Sequence, residues 1–413
     1  MSLELATPEL DALLRDTSFA RDPYRAYGEL RTRDPIHWMA DWDSWLVSRY
    51  ADVLPALRDQ RLSSARMRSF IEALSRADQV EFRPLADFLG LFLGMSDAPD
   101  HTRVKRVAID GFGMAALEAL RPRVQAIADG LIDELVERRD GRMDVIRDFA
   151  TPLPAFVIAE VLGLQPEDLG LFRRWADDVV SFIGATTFSL DRARLALGSL
   201  TALLAYFDDH GGARAALASD LTRPMRHGIE QGVISETEFL ATCATLLSGG
   251  QKTTTNLIGN GTLALIEHPD QLRLAKTLPA PPGMIDELLR FDPPVPRAWR
   301  RAREDFELDG RAIKEGQTVL LLLGSACHDL DAFADGDQLD LTRKPNRHLA
   351  FGFGPHLCIG APLARMEAEI AFSTLLARVE SFELDPRSVS WLDGDLALAH
   401  RGLSTLPVGV TYT

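Results

Sequence analysis

The sequence predicts a mainly α-helical fold with a small β region, and three observations predict it. Long stretches carry apolar residues at helical spacing, strand-like runs are few and short, and 413 residues that are 46% apolar and 25% charged can bury a large core. In chain order, the spacing predicts helices over 99–112, 115–138, 153–162, 166–182, 192–209, 236–267, 284–291 and 362–379. In the last of these, Pro362 sits where its missing N–H costs nothing, and Leu363, Ile370, Ala371, Thr374 and Leu375 follow on one face. Strands are expected at 36–39 and 45–48 across an Asp-rich turn, at 306–308 and 311–313 across Asp309-Gly310, and at 319–323. They are expected to form a small separate sheet. Repeats and low-complexity tracts are absent, and the Pro-rich breaks at 278–283 and 292–296 flank one short helix, so a single domain over 1–413 is expected.

Composition excludes several classes. Sixty acidic against 45 basic residues give a net charge of −15, which disfavours nucleic acid and anionic membranes as partners. No apolar run approaches the roughly 20 residues needed to cross a bilayer, and the first residues carry acids where a signal peptide has a basic segment. The three cysteines, Cys243, Cys327 and Cys358, are odd in number and far apart, which argues against a disulfide framework. A cytoplasmic protein without a membrane anchor is the expectation.

The ten residues from Phe351 to Gly360, FGFGPHLCIG, place Cys358 in a glycine-rich turn just ahead of a helix. Gly352, Gly354 and Gly360 can take φ > 0 and leave backbone N–H groups free to point at a sulfur. The helix that follows turns the positive end of its dipole toward that sulfur and favours the anion. A thiolate ligand for a metal follows, and zinc does not fit because no Cys-x-x-Cys pair occurs.

Phe351, Gly352, Gly354, His356, Cys358 and Gly360 together resemble the haem-binding signature of the cytochrome P-450 family of haem-thiolate monooxygenases. The resemblance runs over about residues 23–408 and implies that family's α-rich prism fold, with haem b held through Cys358. Glu287-Leu-Leu-Arg290 places a carboxylate and a guanidinium on one helix face; it is similar to the family's Glu-x-x-Arg helix, with Arg343 completing a structural cluster. His101, Lys105, Arg300 and His356 are the implied partners of the two haem propionates, Lys105 standing where arginine is usual.

The stretch 246–256, LLSGGQKTTTN, resembles the middle of the family's long distal helix. Gly249 and Gly250 weaken a helix by about 1 kcal/mol each relative to alanine but open a groove for O₂ and water. Thr253 would then donate a hydrogen bond to the distal oxygen. Lys252 departs from the pattern, since the family usually has an acid there that relays protons. Three readings stand: Lys252 pairs with an acid outside the pocket, it binds an anionic substrate that brings its own acid or base, or the enzyme runs oxidative coupling, rearrangement or peroxide-driven chemistry. Arg297 is a second cation in a segment that lines the family's pocket. Further pocket candidates by position are Phe88, Leu89, Phe92, Ile183, Thr245, Val295 and Leu396.

The implied activity is insertion of one oxygen atom from O₂ into a small organic substrate. By resemblance, electrons come from a ferredoxin and an NAD(P)H-dependent ferredoxin reductase, docking on a basic patch that includes Arg103, Arg106, Arg347 and Arg365. A monomer is expected. A haem-dependent ligand sensor is the non-enzymatic alternative.

Overall fold

The computed structural model describes residues 7–184, 189–209, 212, 217–277, 280–392 and 399–413. Its contacts divide the chain into two units. The first comprises Met1–Ser64, Asn256–Cys358 and Leu384–Pro407; the second comprises Ala65–Thr255, Ile359–Glu383 and Val408–Thr413.

The first unit is organised on a five-stranded sheet in the order Ile36–Met39, Ser44–Val47, Thr318–Leu321, Ala298–Ala302, Leu62–Ser63. Ser44–Val47 pairs in parallel with Thr318–Leu321, and the other neighbours are antiparallel. Because side chains alternate along a strand, Leu46 and Leu320 turn to one face, with Leu10, Tyr27 and Met39. Val47, Val319 and Leu321 turn to the other, with Ala302, Ile313 and Cys327. The expected single sheet is therefore corrected. Phe306–Leu308 and Arg311–Ile313 make a hairpin of their own, turning at Asp309 and Gly310 with φ of 45° and 76°, values that glycine and aspartate tolerate best. The strand expected over 319–323 stops at Leu321, and Leu323–Ala326 is a short helix.

One ion cluster fastens the helix Thr7–Arg15 to this sheet. His37 is fully buried between Asp34, whose Oδ2 lies 3.0 Å from Nδ1, and Asp11, whose Oδ1 lies 2.8 Å from Nε2; Arg311 donates to Asp34 at 2.8 Å. Burial alone lowers the imidazole pKa, but hydrogen bonds to Asp34 and Asp11 more than offset it, and the net shift is upward. A raised folded pKa contributes stability that is fully present below about pH 6.5, the unfolded value, and fades as pH rises through the folded value. Urea unfolding is thus expected to show stability falling from slightly acid to alkaline pH, and His37→Gln should flatten that dependence. A wild-type midpoint insensitive to this pH range would refute the assignment.

In the second unit, Met114–Arg138 packs on Ala361–Arg378, and Leu169–Gly184 packs on Leu190–Asp209. The long helix Glu236–Glu267 has its first twenty positions here, the division falling between Thr255 and Asn256. A three-stranded sheet in the order Arg142–Asp144, Pro407–Tyr412, Val379–Leu384 was not expected from the sequence. These strands are short and their partners distant, so no local pattern announces them.

Candidate functional site: a thiolate loop, a glycine-interrupted helix and an apolar cavity

In the first unit the cysteine loop has the left-handed backbone expected at Gly352 and Gly354, whereas the expectation for Gly360 is corrected: as the residue capping the helix Ala361–Arg378 it has φ of −81°. Gly352 and Gly354 adopt φ of 70° and 74°, a region that penalises any Cβ. A Cβ on Gly354 would also meet Arg58 Cγ at 2.7 Å. The Cys358 amide donates to the Phe351 carbonyl at 3.0 Å and closes the loop.

The three cysteines differ in the property that decides metal ligation. Cys243 and Cys327 are buried, and burial holds both as thiols, the first pushed far up and the second to about 11. Cys358 is exposed, and exposed Phe353 and Leu357 flank it. Soft sulfur beside apolar side chains suits the iron of an apolar macrocycle. Arg300, only 6% exposed on the strand Ala298–Ala302, donates to the Trp299 carbonyl at 2.8 Å. His356 Nε2 lies 3.2 Å from Ser64 Oγ, a partner that the sequence did not reveal. These residues fit haem: Cys358 would ligate iron, and Arg300 and His356 would meet a propionate. Bound there, haem supplies the activation of O₂, one atom going to substrate and one to water.

Behind the loop, Glu287 and Arg290 are fully buried on the helix Met284–Phe291. Arg290 Nε and Nη2 each donate to Glu287 at 2.8 Å, and Arg343 Nε donates to the same carboxylate at 3.1 Å. The cluster is larger than the sequence suggested. Asn346 Nδ2 and the Asp340 amide also reach Glu287, while Arg290 caps the carbonyls of Cys327, Gly336 and Gln338 at 2.7–2.8 Å. It pins the 327–346 segment that leads into the cysteine loop.

Arg297 packs on aromatic side chains. Its guanidinium lies 5.4 Å from the Trp42 ring centroid, near Tyr27, and burial lowers its pKa to about 10. Its Nη2 is sealed from solvent without a hydrogen-bond partner among the described residues. The guanidinium stands against an aromatic cluster of the first unit, while the residue as a whole is half-buried. Val295 is half-buried, and Leu396 lies outside the described residues.

In the second unit, His101 is buried in the first turn of Asp100–Ile109, and Lys105 follows one turn later, half-buried. On the long helix, Gly249 is exposed and a Cβ there would meet nothing within 4 Å, whereas one on Gly250 would meet Ile158 Cδ1 at 3.1 Å. The open groove is on the Gly249 side. Thr253 Oγ1 donates to the Gly249 carbonyl at 2.6 Å; in this state its single proton is spent and the oxygen can only accept. Thr245 likewise bonds back to Ala241 at 2.8 Å. Lys252 is half-buried, and no carboxylate among the described residues pairs with it.

A small, partly open apolar cleft lies within this unit. Phe88, Leu89 and Phe92 line it, as their position suggested; Ile183, whose carbonyl accepts from Arg66, and Thr245 do not. The sequence missed the opposite walls, among them Trp175, Ala176, Leu203, Ala244 and Leu247. Each sits on a helix read correctly, but periodicity cannot separate core from cavity lining. Arg103 is also corrected as a docking cation, because it donates to Glu238 and Asp100 and is neutralised by them.

An exposed thiolate loop of this geometry in a helix-dominated fold defines a haem-thiolate protein. The cytochrome P450 family model matches residues 271–393. Cytochrome P450 107B1 of Saccharopolyspora erythraea is 36% identical over 409 residues, covering 96% of this chain and 97% of that protein. Cytochrome P450 monooxygenase PikC of Streptomyces venezuelae is 36% identical over 412 residues, covering 97% and 94%. The solved structure of myxobacterial cytochrome P450 CYP267B1 in complex with myristic acid superposes with a TM-score of 0.84 at 36% identity, over 97% of this chain and 98% of that one. The chain belongs to the cytochrome P450 family, and it is a haem-binding oxidoreductase of the monooxygenase class. No helix among the described residues is long and apolar enough to cross a membrane.

Proposed function

We propose that this enzyme hydroxylates a small anionic metabolite in the cytoplasm, acting as a monomer fed by a ferredoxin and an NAD(P)H-dependent ferredoxin reductase. The observation that carries the anionic reading is Lys252. A half-buried ammonium without a carboxylate partner among the described residues, in the residue before Thr253, calls for a counter-charge, and a substrate carboxylate supplies it. The relative solved with myristic acid binds a ligand of that kind. An external donor suits the cysteine inventory: an iron–sulfur cluster takes four thiolates, whereas this chain has three cysteines, two of them buried. Arg106 and Arg347, both exposed, and half-buried Arg365 are the cations offered to an acidic ferredoxin.

An optical titration of the ferric protein with matched carboxylates and methyl esters tests the substrate class. Carboxylates should shift the Soret band at concentrations roughly tenfold below their esters; esters that bind as well would refute the anionic reading. Turnover in isotopically labelled O₂ tests the reaction, since hydroxylation adds one labelled oxygen, while oxidative coupling removes hydrogens and adds none.

A further inference from the structure

We infer that His348, braced by Asp286, is a positioning residue for the Cys358 thiolate. It fixes the backbone turn from which the cysteine loop starts, and so tunes how strongly the sulfur donates to iron. Its role is independent of the charge of the substrate.

The His348 side chain is only 4% exposed and stands between two partners within the first unit. Its Nδ1 accepts from the Ala350 amide at 3.2 Å, so the ring proton sits on Nε2, which donates to Asp286 Oδ1 at 3.1 Å. Asp286 lies on the helix Met284–Phe291, one residue before Glu287. That helix therefore holds the approach to the cysteine loop twice. Glu287 and Arg290 hold the 327–346 segment, and Asp286 holds His348 just beyond it.

What His348 holds is a tight turn. The Leu349 carbonyl accepts from the Gly352 amide at 2.8 Å, and the Leu349 amide donates to Cys327 Sγ at 3.3 Å. Gly352 leaves the turn with φ of 70°, and the Phe351 carbonyl within it accepts from the Cys358 amide. The His348 ring also lies 5.9 Å from the Phe351 ring, centroid to centroid. Contacts thus run without a break from the Asp286 carboxylate through the imidazole, the Ala350 amide and the turn to the Phe351 carbonyl and the cysteine amide. Leu349 and Ala350 are buried, so water does not readily replace a lost acceptor there. Backbone amides around a thiolate offset its charge and thereby tune the iron it ligates. A turn that wanders aims those amides less well.

The test compares variants of the haem-loaded protein by the iron–sulfur stretching frequency in resonance Raman spectra and by the reduction potential of the iron. His348→Asn keeps an acceptor where Nδ1 stands and should match wild type in both. His348→Gln carries its amide out to the Nε2 position and leaves the Ala350 amide unmet. Its iron–sulfur stretch should rise and its potential fall, because a sulfur less compensated by amides donates more strongly. Asp286→Ala should shift both the same way by less, and Asp286→Asn should shift neither, since its oxygen still accepts from Nε2. A wild-type frequency and potential in His348→Gln, or an equal shift in His348→Asn, overturns the inference. If His348→Gln fails to load haem, Asp286→Ala decides, because that carboxylate is partly exposed and its removal spares the core; no shift there overturns the inference. A lower urea midpoint with both readouts unmoved shows a structural role only and overturns it as well.

Discussion

Cys358→Ser is expected to yield a protein whose oxygen-inserting turnover falls to background and whose reduced carbonyl complex loses the red-shifted Soret band of thiolate ligation. The reason lies in the contrast among the three cysteines. Cys243 and Cys327 are buried and held protonated, so neither can replace the exposed sulfur. The loop itself should survive, because its shape comes from Gly352, Gly354 and the amide bond from Cys358 to Phe351, none of which involves the side chain. Far-UV circular dichroism should therefore match wild type. A serine variant that keeps the thiolate-type spectrum would show that another residue ligates iron.

Glu287→Gln is expected to cost about 3–5 kcal/mol, because it leaves the buried Arg290 guanidinium without its counter-charge. That is a large part of the roughly 5–15 kcal/mol by which a domain is stable. Arg290→Ala should be at least as severe. It removes the same charge pair and also strands the carbonyls of Cys327 and Gly336, each buried donor–acceptor bond costing about 1–3 kcal/mol to leave unmade. Arg343→Ala is expected to be milder, since Arg343 makes one bond to Glu287 and its backbone contacts lie near the surface. Denaturant midpoints on the three variants check the order. Equal losses for Arg343→Ala and Arg290→Ala would show that the cluster acts as one indivisible unit.

Much of this was legible in the chain. The helices Glu236–Glu267 and Met284–Phe291 were read with their observed bounds, because apolar spacing and flanking breakers act within one segment. The cysteine loop was legible for the same reason: a left-handed backbone at Gly352 and Gly354 is a property of those residues. Ala298–Ala302 was not seen as a strand. Its sequence, AWRRA, lacks alternation, and it is a strand because Thr318–Leu321 and Leu62–Ser63 flank it. Arg297 shows the same limit for a side chain, since its contact with Trp42, distant in the chain, leaves no local signal.

By itself the sequence determined the helical class, the thiolate loop, the Glu287–Arg290 pair and the anomaly at Lys252, because each depends on residues close together in the chain. Only the tertiary structure decided which distant strands pair, which cysteines are silenced by burial, and that Ala244 and Ser248 line an apolar cleft. Those are matters of which neighbours a group meets, and a neighbour from elsewhere in the chain leaves no trace in local spacing or propensity.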